Sequence, residues 1–439
     1  MKHIFQTNRL ICFLLITAII LTGASCNRPG SYTPENSLAT EPQNTFKITE
    51  VKSSNLMEEI TVLNVTDKPA DEQFIENTMN YSIELFKKVA PKDESSLVSP
   101  LSTMLALSMT ANGADNATRT EMEKLLGGEI PLDTLNEYLC TYSNSLPPSE
   151  NSKLHIANSI WFRDAENRLK VQPSFLQKNA DYYNATAYKA PFNDATIKDI
   201  NAWVSDKTDG MIDEIIDTIS DNNLMYLINA IVFDAKWETK YNSNDISDET
   251  FNSIDGNGQT VKMMFSKESR YIKYGNGTGF IKDYANKDYS FVALLPDRDV
   301  NINDYIASFT GKGFADAVNN ASYDSVKVFL PKFSYSYSIS LNDSLKALGI
   351  PTAFDPGNAD FSKMATSSGG NIYIGNVLHK TFISVDESGT KAAAVTKVGA
   401  KATGMQLDYY TVKLDRPFVY AIIDNATGLP IFLGTVMSI

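Results

Sequence analysis

The sequence has 439 residues, of which 21% are charged, and its formal net charge is −13 at pH 7. A chain this acidic repels the phosphate backbone of nucleic acids, which excludes nucleic-acid binding as its function. Its three cysteines, Cys12, Cys26 and Cys140, are too few for a disulfide framework or a multi-cysteine metal site. Separately, we expect neither a metal nor a cofactor.

The N-terminus has the layout of a secretory signal. Lys2 and Arg9 lead into an apolar run that is shorter than the about 20 residues of a membrane-spanning helix. The stretch Gly23-Ala24-Ser25-Cys26 resembles the lipobox of bacterial lipoproteins. We predict a signal peptide over residues 1–25 and a lipid on Cys26 that anchors the protein to a bacterial envelope, facing the periplasm or the cell exterior. In the alternative, an ordinary signal peptide is cut nearby and Cys26 has no role.

The rest of the chain divides into a tether and a domain. Residues 26–70 begin with the lipidated cysteine and are rich in Ser, Thr, Asn and Pro, which indicates a flexible tether. From residue 71 to 439, helical and strand patterns alternate without a second linker or an internal repeat. This part is therefore predicted to be one domain.

Three helix signals open the domain. Ile75 and Phe86 lie on one helical face. The pair Ser99-Pro100 is typical of an N-cap followed by proline at the first helical position. Residues 118–121 fit a capping box, and Gly127-Gly128 is expected to end the helix that they start.

Strand formers dominate the second half of the chain. The run over residues 224–233 is apolar apart from Asn229, as expected for a strand that is buried on both faces in the middle of a sheet. The further strand candidates are residues 291–295, 326–333, 378–385, 418–423 and 431–436. The chain is therefore predicted to be mixed α/β, with much of the sheet near the C-terminus.

Seven stretches, in order, resemble the signature segments of the serpin family. They are Ser99-Pro100-Leu101-Ser102, Leu227-Ile228-Asn229-Ala230-Ile231-Val232-Phe233 with Lys236-Trp237, Leu330-Pro331-Lys332-Phe333, residues 345–350 with Ala359-Asp360-Phe361-Ser362, Val377-Leu378-His379-Lys380, residues 386–396, and Asp415-Arg416-Pro417-Phe418 with Leu433-Gly434. The resemblance covers roughly residues 73–439.

This resemblance implies the α+β serpin fold, which is a single domain with three β-sheets, eight to nine helices and an exposed reactive-centre loop near the C-terminus. It also implies a suicide-substrate mechanism, in which a protease attacks the loop and forms an acyl-enzyme. The cut loop then enters the main sheet as an extra strand and distorts the protease before the ester is hydrolysed. Such a protein supplies no catalytic residue, so we expect a monomeric inhibitor of serine endopeptidases, with cysteine endopeptidases as a second class, and not an enzyme.

The stretch over residues 386–396 is suited to insertion into a sheet. A segment that moves between two strands needs a flexible pivot, which Gly389 supplies, followed by small side chains on the face that becomes buried. With a period of two, Thr390, Ala392 and Ala394 would point inward and Lys391 outward. The resemblance assigns the family's hinge to Glu387, Gly389, Thr390, Ala392, Ala393 and Ala394.

Two further groups of residues match serpin regions where opening of the main sheet is controlled. The shutter comprises Ser99, Ser102, Asn229 and His379. The breach, where insertion begins, comprises Trp237, Lys332 and Glu387. Because a buried amide and a buried imidazole must find partners, we expect Asn229 and His379 to bond to each other. We also expect an ion pair between Lys332 and Glu387.

The reactive bond is located by counting along the chain. The family's register places it sixteen residues after Glu387, between Thr403 and Gly404, whereas counting back from the C-terminal signature stretch gives a site near Gln406. We use the first count, because the length of the inserted segment decides whether the trap works. Cleavage after Thr403 suits an elastase-like protease, cleavage after Met405 an elastase- or chymotrypsin-like one, and cleavage after Lys401 a trypsin-like one.

Two alternatives to an inhibitor are weighed against it. An enzyme is disfavoured because the sequence has no G-x-S-x-G elbow, no H-E-x-x-H motif and no phosphate loop, and only His155 and His379 follow the signal peptide. A non-inhibitory serpin would act as a binding or carrier module. Such members tend to have bulky or charged hinge residues, whereas this hinge consists of Thr390 followed by small alanines.

Overall fold

The computed structural model describes residues 51–147, 152–164, 168–220, 223–390 and 410–439. Within these residues the α-helices are α1 (Glu72–Val89), α2 (Pro100–Ala111), α3 (Asn116–Gly127), α4 (Leu132–Ser145), α5 (Pro173–Tyr183), α6 (Asp194–Lys207), α7 (Ile302–Ala307), α8 (Gly311–Asn319) and α9 (Asn342–Ala347). In this described part of the chain, no helix combines the length and the apolar character needed to cross a membrane.

The strands occupy most of the second half of the chain. They are β1 (Ser54–Asn55), β2 (Ser96–Val98), β3 (Ser152–Arg163), β4 (Leu169–Val171), β5 (Thr186–Ala190), β6 (Met225–Lys236), β7 (Ile246–Asn252), β8 (Gly258–Glu268), β9 (Arg270–Lys273), β10 (Gly277–Asp283), β11 (Tyr289–Pro296), β12 (Val326–Pro331), β13 (Phe333–Ser340), β14 (Ala365–Ser367), β15 (Asn376–Val385), β16 (Gly389–Thr390), β17 (Tyr410–Lys413), β18 (Phe418–Asp424) and β19 (Pro430–Val436). All of these elements lie in one compact unit, Lys47–Ile439.

The described strands form three larger sheets and one small one. The main sheet has seven strands in the order β1-β5-β3-β6-β16-β15-β13. A six-stranded sheet has the order β2-β19-β18-β11-β10-β9, and a four-stranded sheet has the order β17-β12-β8-β7. The two-stranded pair β14-β4 is an addition to the three sheets that the sequence predicts.

Strand β6 lies in the middle of the main sheet, as its apolar run predicts. It pairs with β3 in antiparallel and with β15 in parallel orientation. One face of the strand, including Leu227 and Ile231, packs into the larger hydrophobic core. The other face, including Ile228 and Val232, packs into a second core with residues of α6. Burial on both faces explains why the run shows no alternation of polar and apolar residues.

The predicted N-terminus of α2 agrees with the structure, whereas that of α3 does not. Ser99 caps α2 and accepts a hydrogen bond from the Ser102 backbone N–H at 3.3 Å, with proline in the first turn as predicted. The predicted capping box at residues 118–121 is wrong, because α3 begins at Asn116 with Asp115 as its N-cap. The Thr118 hydroxyl instead accepts a hydrogen bond from the backbone N–H of Asp360 at 2.9 Å.

Residues 51–70, which the sequence prediction includes in the tether, lie along the domain. β1 adds an antiparallel edge strand to β5, and both the backbone N–H and the hydroxyl of Ser53 donate to Asp199, at 2.7 and 2.6 Å. Further along, the N–H of Leu63 donates to Asp181 at 2.7 Å. The last twenty residues of the predicted tether are therefore attached to the domain by hydrogen bonds, most of them donated by backbone N–H groups.

Candidate functional site

The start of the predicted hinge, β16, is a short strand of the main sheet. β6 and β15 pair directly over Tyr226–Val232 and Asn376–Phe382. Beyond this stretch they separate, and β16 lies between them, with Thr390 opposite both Ala235 and Val385. The chain turns from β15 into β16 through residues 386–388, where the Asp386 carboxylate accepts the N–H of Ser388 at 2.7 Å. The sheet is thus already open at this end by the width of one strand.

Thr390 points inward, as its position in the period-two pattern predicts. Its side chain is only 1% exposed, and its hydroxyl shares a hydrogen bond of 2.6 Å with the hydroxyl of Tyr284. Burial raises the pKa of Tyr284, which keeps this phenol neutral. The ring of Tyr284 stacks on Trp237 with 4.5 Å between the ring centroids. The Thr390 hydroxyl therefore lies in a buried polar site within a layer of aromatic rings.

Gly389 is required by the close approach of β16 to β6. A Cβ atom at this position would collide with the carbonyl oxygen of Ala235 and would crowd the Cα of Lys236. We predict that Gly389→Ala displaces β16 from between its neighbours, at a cost of about 1–3 kcal/mol, which is typical of overpacking. Hydrogen exchange measures this cost directly. Because 1.4 kcal/mol corresponds to a factor of ten, the Thr390 amide should exchange about fivefold to one hundredfold faster.

Gly369→Ala is the matched control for this prediction. Its added Cβ would make only ordinary contacts, the nearest at 3.4 Å to Ser367 Oγ. It should leave exchange at Thr390 unchanged. Parental protection of the Thr390 amide in Gly389→Ala would show that β16 tolerates a side chain there.

The breach residues meet at the turn between β15 and β16. Lys332 and Glu387 form an ion pair, and the hydrogen bond from Lys332 lowers the pKa of Glu387. Because their side chains are 29% and 41% exposed, water screens the pair and its contribution is at most about 1 kcal/mol. The indole N–H of Trp237 donates to the Asp386 carbonyl at 2.9 Å, and its backbone N–H donates to the Ser388 carbonyl at 2.9 Å. Hydrogen bonds to backbone carbonyls, rather than the ion pair, therefore hold the turn in place.

The shutter residues come together beneath the middle of the main sheet. All four are buried. The ring nitrogen Nδ1 of His379 bonds to Oδ1 of Asn229, and the amide nitrogen of Asn229 donates to Ser102 Oγ. The backbone N–H of Ser99 donates to His379 Nε2 at 3.2 Å. The N-terminus of α2 thus bonds to β6 and β15, the two strands that an inserted loop would separate.

The hydrogen bonds fix the protonation state of His379. Because Nε2 accepts the N–H of Ser99, the ring proton resides on Nδ1 and is donated to Asn229. Burial lowers the pKa of His379 to about 3, so the imidazole is neutral at physiological pH. A neutral imidazole with both nitrogens bonded satisfies the network without a buried charge.

Two contributors to the site were not found from the sequence. Asn158 on β3 accepts the second amide hydrogen of Asn229, and Tyr284 bonds to Thr390. Neither residue belongs to a signature stretch. Asn158 lies in a strand-like run, as Asn229 does. A polar amide in such a run was the sequence feature from which Asn158 could have been predicted.

Several predicted site residues lie outside the described residues. They are the lipidation site Cys26, the hinge residues Ala392, Ala393 and Ala394, and the reactive-bond window with Lys401, Thr403, Gly404, Met405 and Gln406. Among the residues that are described, no group of three or more His, Cys, Asp or Glu side chains is placed to hold a metal ion.

Comparisons with known proteins place this arrangement in a family. Residues 76–439 match the family model of the serpins, described as serine protease inhibitors. The leukocyte elastase inhibitor of Xenopus laevis is 29% identical over 374 residues, which is 81% of this chain and 96% of that protein. The crystal structure of a thermophilic serpin, tengpin, in the native state has 52% sequence identity and a TM-score of 0.86, covering 89% of this chain and 100% of that chain.

A third comparison is with a serpin that binds a small molecule. Human thyroxine-binding globulin, in a crystal structure with its hormone, has 26% identity and a TM-score of 0.75, covering 83% of this chain and 98% of that chain. The fold and the site together define an α+β protein whose main sheet accepts the segment that follows β15. The chain belongs to the serpin family, whose members are generally protease inhibitors. The predicted serpin fold is therefore confirmed.

Proposed function

We propose that this chain is a monomeric suicide-substrate inhibitor of serine endopeptidases, which it traps as acyl-enzymes. The observation that supports the proposal most directly is the position of β16. It lies between β6 and β15 at the end where they diverge, and its residue Thr390 pairs with both strands. A strand that continued beyond Thr390 in the direction of β16 would enter between the same two strands.

The proposed reaction begins as ordinary proteolysis. The protease serine attacks the carbonyl carbon of Thr403, the bond to the Gly404 nitrogen breaks, and that nitrogen takes up a proton as the new N-terminus. The Thr403 acyl group remains as an ester on the protease. A cysteine endopeptidase would form the equivalent thioester. Insertion of residues after Thr390 then moves the attached protease along the sheet before water cleaves the ester.

The register of β16 defines where an inserted segment would lie. Thr390 is opposite Ala235 and Val385, and both pairings are antiparallel. Six residues further along the segment is Thr396, and six residues back along the two strands are Asn229 and His379. An inserted strand would therefore lie between Asn229 and His379 and break the bond between them. Because that bond must be lost, the shutter opposes insertion until cleavage supplies a new strand.

An elastase-like serine protease is the proposed target. Cleavage after Thr403 suits such an enzyme, and a relative that covers most of this chain is named a leukocyte elastase inhibitor. The test is to incubate the chain with elastase, chymotrypsin and trypsin, and to separate the products on denaturing gels. A band at the summed mass of protease and cleaved inhibitor is expected with elastase, and the mass of the released C-terminal peptide locates the cut.

A non-inhibitory binding module is the second candidate. Thyroxine-binding globulin, whose structure was solved with thyroxine, has the same fold at 26% identity. Clean cleavage by all three proteases without a denaturation-resistant band would favour this candidate. The small residue at Thr390 and its early position in the sheet favour inhibition instead.

We further propose that a lipid on Cys26 holds the protein at a bacterial envelope, because a lipobox-like stretch follows an apolar run of signal-peptide length. Expressed in a bacterial host with labelled fatty acid, the full chain should incorporate the label and sediment with membranes. Cys26→Ala should lose both properties, whereas Cys12→Ala, inside the predicted signal peptide, should retain them. Equal labelling of Cys26→Ala and the parent would contradict the anchor.

A further inference from the structure

A buried lysine lies beside Trp237 of the breach. Lys282 belongs to β10, and its side chain is only 2% exposed, although lysine is almost never fully buried without a partner. Its ammonium group bonds to Oε1 of Glu268 on β8 at 2.8 Å, and the Ser266 hydroxyl donates to the same oxygen at 2.6 Å. The ammonium therefore joins the six-stranded sheet to the four-stranded sheet inside the protein.

The same ammonium contacts one short segment, residues 237–241, at three points. It donates a hydrogen bond to the Thr239 carbonyl at 3.2 Å. It also lies 5.5 Å from the ring centroid of Trp237 and 4.7 Å from that of Tyr241, which is within the range of cation–π attraction. A cation placed against two aromatic rings and the carbonyl between them in sequence restrains the conformation of this segment.

The segment over residues 237–241 in turn holds the turn between β15 and β16. The indole N–H of Trp237, the backbone N–H of Tyr241 and the backbone N–H of Trp237 donate to the successive carbonyls of residues 386–388, at 2.9, 3.0 and 2.9 Å. All three carbonyls of the turn are therefore bound by the segment that the ammonium contacts. β16 begins with the next residue, Gly389.

Packing alone does not account for a charge at this position. Burial of an ion pair carries a desolvation penalty, and replacing such a pair with apolar side chains of similar volume is often neutral or stabilising. A methionine in place of Lys282 would fill the space beside the rings, but it would neither bond to the Thr239 carbonyl nor attract the ring faces. What the lysine adds is therefore orientation of the segment that binds the turn.

We propose that Lys282 is a positioning residue for loop insertion, and that it acts through Trp237 and Tyr241 on the turn from which the inserting strand starts. The proposal rests on the inhibitory function proposed above. Residues 386–388 are the fixed end of the segment that enters the sheet, so a strand that starts from a displaced turn begins out of register with β6 and β15. Without the ammonium, productive insertion is slower, and hydrolysis of the acyl-enzyme competes with it more successfully.

The variant that isolates this role combines Lys282→Met with Glu268→Gln. Because both charges are removed, no unpaired charge stays buried, and the urea midpoint should be retained. The amides of Trp237 and Tyr241 should exchange with deuterium about threefold to thirtyfold faster, as loss of a buried cation–π contact would produce, while amides of β18 exchange at the parental rate.

The inhibitory readout is the number of inhibitor molecules consumed per protease molecule inactivated, with whichever of elastase, chymotrypsin and trypsin the parent traps. In the double variant this number should rise at least about threefold, while the rate constant of loop cleavage stays parental. The control combines Lys189→Met with Asp164→Asn, which removes another largely buried ion pair, of 2.5 Å, at the end of the main sheet remote from β16. It should match the parent in exchange and in stoichiometry.

The outcomes separate positioning from stability and from the inhibitory function. Parental exchange of Trp237 and Tyr241 in the double variant, or faster exchange with parental stoichiometry, overturns the proposal and leaves the inhibitor standing. A lowered urea midpoint with equally faster exchange in β18 would show that the pair only stabilises the fold, which also overturns it. If the parent forms no covalent complex with any of the three proteases, the inhibitory function fails and the role of Lys282 in insertion fails with it.

Discussion

Thr390→Arg is expected to convert the chain from an inhibitor into a substrate. The Thr390 side chain is 1% exposed and bonded to the hydroxyl of Tyr284, so an arginine there must either bury an unpaired guanidinium or leave the sheet. Burial of an unpaired charge costs several kcal/mol, and each 1.36 kcal/mol added to the insertion barrier slows insertion tenfold. Hydrolysis of the acyl-enzyme then precedes insertion.

The measurement is the number of inhibitor molecules consumed per protease molecule inactivated. For Thr390→Arg we expect this number to rise at least about tenfold, with the cut chain accumulating in place of the covalent complex. Thr390→Ser is the matched control, because it keeps the hydroxyl that bonds to Tyr284 and should trap nearly as well as the parent. Trapping by Thr390→Arg at the parental stoichiometry would show that Thr390 does not lie on the inserting face.

The folded protein is expected to lose stability in mild acid because His379 is buried as a neutral imidazole. Burial lowers the pKa of His379 to about 3 in the folded chain, whereas an exposed histidine has a pKa near 6.5. Above pH 6.5 the imidazole is neutral in both states. As the pH falls from 6.5 towards 3, only the unfolded chain takes up the proton, so stability falls by about 1.36 kcal/mol per pH unit. The loss is about 2 kcal/mol at pH 5 and about 5 kcal/mol in full.

Urea titrations at pH 7 and pH 5, followed by tryptophan fluorescence, measure this loss, because surface carboxylates stay largely ionised over that range. His379→Asn should be less stable at pH 7, since it disrupts the bonds to Ser99 and Asn229, but its stability should change less between the two pH values. His155→Gln removes a histidine whose side chain is 34% exposed, and it should keep the parental pH dependence. Equal pH dependence in His379→Asn and the parent would exclude His379 as the cause.

The middle of the main sheet could be predicted from the sequence because burial leaves a strong signal there. A strand buried on both faces is an unbroken apolar run, and β6 is such a run. A polar residue inside it needs a partner, so Asn229 and His379 could be expected to meet, and in the structure they do. The inward direction of Thr390 followed from the period of two.

Features made by backbone pairing left no such signal. β1 consists of two exposed residues, Ser54 and Asn55, that pair with β5 through the main chain, so their side chains give no indication of a strand. β16 is also only two residues long, and its place between β6 and β15 depends on tertiary geometry. Thr118 fits a helix cap locally, but its hydroxyl bonds to a residue far along the chain.

The central claim is that cleavage allows the segment after Thr390 to insert between β6 and β15, and the thermal midpoint of the cleaved chain tests it most directly. About ten inserted residues, each gaining ~1 kcal/mol of net backbone hydrogen bonding, would stabilise the cleaved chain by on the order of 10 kcal/mol. The chain, cut once within residues 391–409 and otherwise intact, should therefore melt roughly 10 °C or more above the uncut chain. An unchanged or lowered midpoint after the cut would contradict insertion and, with it, the proposed trap.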